Sequence, residues 1–279
     1  MKTPIIAAGL LLAGAATAQT LFAPSNVVPG TSVKDVPMAE WEVKQTGAAE
    51  QTGARILIAA GEEELKGAQA DASRYGSKTF KFPSGDIRVQ TFKKDQGGVL
   101  HQITSETVIY VLKGSAEVGV IGKPTAISAG DVVSLPSGNL RSKAGAAEDT
   151  TIIAFTVDHT EKNAKAAVVR GKDVPEQAMG ADTKAGSAKV AVRRYTFPGN
   201  TVRVANVTGP GKTNPATPKT DVILYLTSGK ATVTIGGETR EVMAGDAVRE
   251  PAGVEMFWDV KDSMSFVATD APAAAPKSK

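Results

Sequence analysis

The sequence predicts an all-β protein built as two similar antiparallel barrels by internal duplication. Three observations predict it: a repeat that keeps one register through most of each copy, apolar residues alternating with polar ones, and a composition rich in turn formers. The 279 residues include 28 glycines and 15 prolines, above the usual share, as many short strands joined by turns require. Apolar residues make up 42% and charged residues 22%, the balance of a folded, water-soluble chain.

Met1-Lys2 supplies a short positive region, Pro4 to Ala16 is apolar, and Ala16-Thr17-Ala18 has the small-x-small form that signal peptidase cleaves. Residues 1–18 are therefore expected to be a signal peptide, with a mature chain starting near Gln19 and a periplasmic or secreted location. No other stretch has the roughly 20 apolar residues of a spanning helix, so no membrane span is expected after cleavage. Residues 19–32 form an N-terminal segment. The Ala/Pro-rich run 271–279 is expected to be a disordered tail.

Phe82-Pro83-Ser84-Gly85 and the residues to Val89 match Phe197-Pro198-Gly199-Asn200 and the residues to Val204, at an offset of 197 − 82 = 115. The same offset superposes Tyr110 on Tyr225, Gly114 on Gly229, Gly130-Asp131 on Gly245-Asp246, Pro136 on Pro251 and Gly138 on Gly253. An echo of Lys34-Asp35-Val36-Pro37 in Lys172-Asp173-Val174-Pro175 has an offset of 172 − 34 = 138. The first copy then carries 138 − 115 = 23 extra residues, placed as an insertion near 53–78 that includes Gly61-Glu62-Glu63-Glu64-Leu65, a helical turn or loop. The first barrel is expected over 33–160, a linker over 161–170 and the second barrel over 171–270.

Ala231, Val233 and Ile235 alternate with Thr232 and Thr234, the pattern of a half-buried strand, and Gly236-Gly237 reads as a hairpin turn. Val118 and Val120 repeat the pattern in the first copy. Gly130-Asp131 and Gly245-Asp246 are tight turns into strands that Pro136 and Pro251 end, because proline cannot donate to a ladder.

With these residues in hand, the chain resembles the cupin superfamily. Tyr110 to Gly114 and Tyr225 to Gly229 resemble the end of its first motif, G-x5-H-x-H-x3/4-E-x6-G. Gly130 with Pro136-Ser137-Gly138, and Gly245 with Pro251-Ala252-Gly253, reproduce the G-x5-P-x-G of its second. The resemblance implies two jelly-roll barrels, a bicupin. It also implies four metal-ligand places per barrel. In the first copy they fall on His101, Ile103, Thr107 and Arg141, and in the second on Ala216, Pro218, Val222 and Met256. No metal and no other cofactor is expected, since one histidine beside a guanidinium disfavours a cation. A slipped register that turns Glu106 inward beside His101 is the one route to a metal site.

His101, Thr107 and Arg141 are the expected ligand-binding residues: an imidazole that titrates near neutral pH, a neutral hydroxyl, and a cation whose burial calls for an anionic partner. Arg88 and Arg203 recur at one place and are read as structural ion-pair residues; His159, next to Asp158, is read as a surface linker residue. Met256-Phe257-Trp258 with Val222 and Pro218 makes the second barrel's site apolar, a lining that could bind a hydrophobic or aromatic ring but is read first as a filled core.

Net charge is +3 with basic residues scattered among acidic ones, so nucleic acid is not an expected partner. The absence of cysteine excludes thiol chemistry and disulfides. Three functions remain. The first is metal-free binding of a small carboxylate or sugar acid; the second is a cupin-type isomerase, epimerase or lyase with His101 as general base; the third is an envelope structural role with vestigial pockets. Either a monomer or a homodimer is compatible with two fused barrels.

Overall fold

A computed structural model describes residues 26–42, 55–59, 69–70, 75–94, 99–102, 106–120, 123–136, 140–144, 148–157, 165–179 and 186–271. The expected signal segment, residues 61–65, His159 and residues 272–279 lie outside the described residues. Among the described residues the regular structure is strand, apart from two 3-10 turns, Gly30–Ser32 and Gly171–Asp173.

Each copy of the repeat lays two sheets face to face. In the second half, one sheet runs in the order 247–250, 221–226, 263–271, 200–208, 189–197, 177–179. The other contains 238–243, 230–235, 256–260 and 211–212. The strand Asp221–Ile235 belongs to both, crossing between them at a register shift between Leu226 and Ser228. Gly229 follows with φ at +77°, where a side chain would meet the Ser263 carbonyl. Gly236-Gly237 makes the predicted hairpin, both at positive φ, and Ala231, Val233 and Ile235 face the core while their neighbours do not. The first half repeats the arrangement and adds a strand, Arg55–Ala59, which pairs with Val36–Glu42 and reaches Val99. That strand lies within the expected insertion.

Three buried clusters hold the molecule together. One lies in the second half, around Leu224, Val233, Trp258 and Val260, and one in the first, around Ile109, Val111, Leu135 and Ile152. The third joins the halves, bringing Phe80, Ile87 and Phe155 against Tyr195, Val202, Ile223 and Val267. Its members come from the outward faces of the same strands whose inward faces fill the two interiors, which period-two alternation makes possible. Tyr195 donates its hydroxyl to the Gly130 carbonyl at 2.8 Å across this contact.

The halves also exchange strands. Val27–Val28, at the head of the first copy, pairs with Val248 and Ala247 of the second, and Ala167–Val169, from the expected linker, pairs with Val132 to Ser134 of the first. The two Gly-Asp turns receive the incoming chains. Asp131 accepts from the backbone N–H groups of Ser128 (3.0 Å) and Gly171 (2.9 Å), and Asp246 accepts from those of Met243 (2.9 Å) and Gly30 (2.7 Å). A side chain at Gly30 or Gly171 would collide with the carbonyl of Gly245 or Gly130.

This symmetry corrects the N-terminal register read from the sequence. Gly30 superposes on Gly171, an offset of 171 − 30 = 141, so the first copy carries 141 − 115 = 26 extra residues, not 23. The four-residue echo at 138 is three residues out of step. It lies mostly at exposed positions, where identity carries no packing consequence, whereas the glycine that meets the turn defines the register. A second correction concerns the tail: Ala271, expected to open it, closes the strand Ser263–Ala271, fully buried opposite Asp221.

Candidate functional site

The places obtained by counting from the motif glycines fall at equivalent positions in the two halves. His101 stands opposite Arg141 in the register of 99–102 with 140–144, and Ala216 bridges Met256 in the second half in the same way. Thr107 is buried, opposite Leu135 and Thr156, on the strand face that carries Ile109 and Val111 into the first interior. Glu106 lies on the other face with Val108, whose side chain packs in the cluster between the halves. The slipped register that would turn Glu106 toward His101 is therefore not the one adopted.

Of the two readings of the second half's apolar residues, a filled core and a pocket, the structure holds a pocket. Between its sheets is a cavity of about 350 Å3, and Ala216, Val222 and Met256, three of the four ligand places, line it. Trp258 and Phe266 stack on one side, ring centroids 5.9 Å apart. Phe257 alternates outward, where the Lys212 ammonium sits 5.1 Å from its ring centre. Thr213 to Ala216 are stitched to the wall: Thr213 donates its N–H to the Trp258 carbonyl (2.8 Å), and its Oγ1 accepts the Trp258 N–H (3.0 Å).

Three ionisable side chains line this cavity and are not singled out as site residues by the sequence. Glu250 has 9% exposure, and Arg203 and Arg194 come from 200–208 and 189–197 of the same sheet. Burial pushes the Glu250 carboxyl up to about 7, against the opposing pull of Arg203 and of the hydrogen bond from Trp258. The Arg203 guanidinium pairs with Asp270, while its Nε–H is buried without an acceptor. The structural ion pair expected of Arg203 thus exists, but the residue also faces the cavity. The pair has no counterpart in the first half, where the register puts Thr156 at the place of Asp270.

The end of the strand Ala247–Glu250 is fixed from outside. Asp221 accepts from the Arg249 guanidinium (2.7 Å) and from the Ala252 N–H (2.8 Å), on either side of Glu250. Burial acts to raise the Asp221 pKa, but these donors outweigh it and hold the carboxyl below its ordinary range. Glu250 was legible in principle. It follows Val248 by two in a strand whose inward face is apolar, at the place of Leu135 in the other copy.

Residues 201–265 match the model of the EutQ-like cupin domain. The likeness to the cupin domain therefore covers part of the second half of the chain. No curated protein matches it. Among solved structures, AerE from Microcystis aeruginosa superposes on this chain with TM-score 0.61 at 10% identity, over 71% of this chain and 93% of that one. A putative glyoxylate induced protein from Pseudomonas aeruginosa gives 0.59 at 15% identity over 91% of both chains. An oxalate decarboxylase from Lactobacillus farciminis, in a formate complex, gives 0.56 at 12% identity over 72% and 82%. At these identities the likeness is one of fold.

The donors present in the second half do not fit the divalent ion that the cupin pattern implies. Ala216, Pro218 and Val222 offer no side-chain ligand and Met256 only a soft thioether. Among the described residues no group of three or more His, Asp or Glu side chains is placed to hold a metal.

Proposed function

We propose that this cupin is an exported small-molecule-binding protein and that its ligand occupies the cavity of the second half. The observation that carries this reading is the cavity itself. Its volume of about 350 Å3 stands at the ligand places of the cupin pattern, lined by Met256, Trp258, Phe266 and Val222, with Glu250, Arg203, Arg194, Thr213 and Asn214 as polar residues. Concave, mostly apolar sites with a few placed polar groups suit compact organic ligands. The lining supports a carboxylate with an apolar body over a hydroxyl-rich sugar acid. His101 and Arg141, paired in register, are the corresponding proposal for the first half.

Calorimetric titration with phenylacetate, benzyl alcohol and gluconate tests the reading. Saturable binding of phenylacetate, lost when Ala205→Phe fills the cavity, is the expected result. Absence of saturable heat from every compound, or binding indifferent to Ala205→Phe, would overturn it. A second reading, a metal-free isomerase, epimerase or lyase, is supported by Glu250 rather than His101, because a buried carboxyl titrating at about 7 suits proton transfer. Exchange of the carbon-bound protons of phenylpyruvate with deuterated solvent, abolished by Glu250→Gln, would decide for it.

A further inference from the structure

We infer that Glu250 selects the ligand of this cavity: as a neutral carboxyl it donates its O–H to the carboxylate of an apolar monocarboxylate that Arg203 also faces, so each ligand brings one proton into the site. The inference rests on the proposed cavity-binding function and goes beyond it by naming the ligand class and the proton that travels with it.

The first support comes from the repeat. The equivalent of Glu250 in the first half is Leu135, fully buried at the same register position, opposite Thr107 as Glu250 is opposite Val222. The fold accepts leucine here, so it does not require the carboxyl. Burying an ionisable group without a structural need is costly, and such costs concentrate where a ligand is handled.

The second support is the charge around it. Glu250 is the one carboxyl among the described residues lining the cavity, and Arg194 and Arg203, opposite each other in register, are its cations. Facing Glu250 are Arg203 on 200–208, Asp270 on 263–271, the Trp258 indole on 256–260 and the uncharged Val222 on 221–235. Arg249, next in sequence, is turned to Asp221. With Glu250 protonated, the Arg203–Asp270 pair is neutral and the exposed Arg194 leaves the site one net positive charge, which suits a monoanion. With Glu250 ionised that charge is gone, and two carboxylates would oppose each other.

The third support is spare donor capacity. Arg203 lines the cavity and has five guanidinium N–H donors, one of which is given to Asp270. A ligand carboxylate has acceptor capacity for Arg203 and for the Glu250 O–H together, and a carboxylic acid donating to a carboxylate is a short, charge-assisted hydrogen bond. Valine, methionine and aromatic walls receive the rest of the molecule.

Because Glu250 titrates at about 7 in the empty site and a bound anion raises it further, affinity should be level below that pH. Above it, affinity should fall about tenfold per pH unit. The test is calorimetry with phenylacetate from pH 6 to 8.5, repeated at pH 8 in phosphate and in Tris, whose ionisation enthalpies differ. The expected result is uptake of close to one proton per ligand at pH 8 by the wild-type protein. Glu250→Gln should show none and bind with little pH dependence. Phenylacetate binding without proton uptake, or uptake that persists in Glu250→Gln, overturns the inference alone. Binding of benzyl alcohol but not phenylacetate does the same. If none of the compounds binds, the cavity reading falls with it.

Discussion

Replacing Glu250 by glutamine should make the protein more stable, and by an amount that depends on pH. An unfolded chain ionises this carboxyl near the ordinary glutamate value of 4.5, and the folded protein holds it back to about 7. Between those values the folded state binds more protons than the unfolded one. Wild-type stability therefore falls as pH rises through the window, by about 1.4 kcal/mol per pH unit, or about 3 kcal/mol once the window is crossed. Below pH 4.5 both states are protonated and the penalty vanishes. The sign is opposite to that of a salt-bridged carboxylate, whose contribution appears as pH rises. Glutamine keeps the shape and does not titrate, so the difference in unfolding free energy between the variant and wild type isolates Glu250 from every other group. Urea unfolding of both proteins at half-unit steps from pH 4.5 to 8.5 should show that difference growing by about 3 kcal/mol in favour of Glu250→Gln. A difference that stays level across the range would mean that Glu250 is solvated and that the reasoning about the cavity is wrong.

Two further predictions concern the joint between the halves. Asp131→Asn should cost about 1.5–3 kcal/mol at neutral pH, since its carboxylate serves the Gly171 and Ser128 N–H groups and the Arg170 guanidinium at 2.8 Å. Burial opposes ionisation of Asp131, but these donors prevail and lower its pKa, so its stabilisation is full above the ordinary aspartate value and fades as pH falls through the lowered one. Urea titrations at pH 7 and pH 3 should show the variant and wild type converging at the lower pH. Gly171→Ala should destabilise by several kcal/mol, because the added carbon meets the Gly130 carbonyl; thermal unfolding would show it, and an unchanged midpoint would refute the contact.

Much of this protein is legible in the order of its residues. Alternation at Ala231, Val233 and Ile235, the Gly236-Gly237 hairpin and the closing Pro136 and Pro251 are local, and the chain obeys them wherever it lies. The places counted from Gly114 and Gly130, and from Gly229 and Gly245, fall at matched positions in the two halves, His101 opposite Arg141 and Ala216 opposite Met256, because both copies keep the same strand register. Where identity and packing part company the reading slips, as at Lys34 to Pro37, whose match to Lys172 to Pro175 is not the structural one.

By itself, the sequence determined an all-β chain with an internal repeat, and side chains without metal donors at Ala216, Pro218 and Val222, since these follow from residue type and spacing. Only the tertiary structure decided that the second half holds a cavity open to solvent at Met179 and Arg194, because packing volume is a sum over walls supplied by strands far apart in the chain. It also decided that Glu250 and Arg203 meet there. Each is one polar residue in an alternating strand, and their joint effect on a proton arises only when the sheets close over them and exclude water.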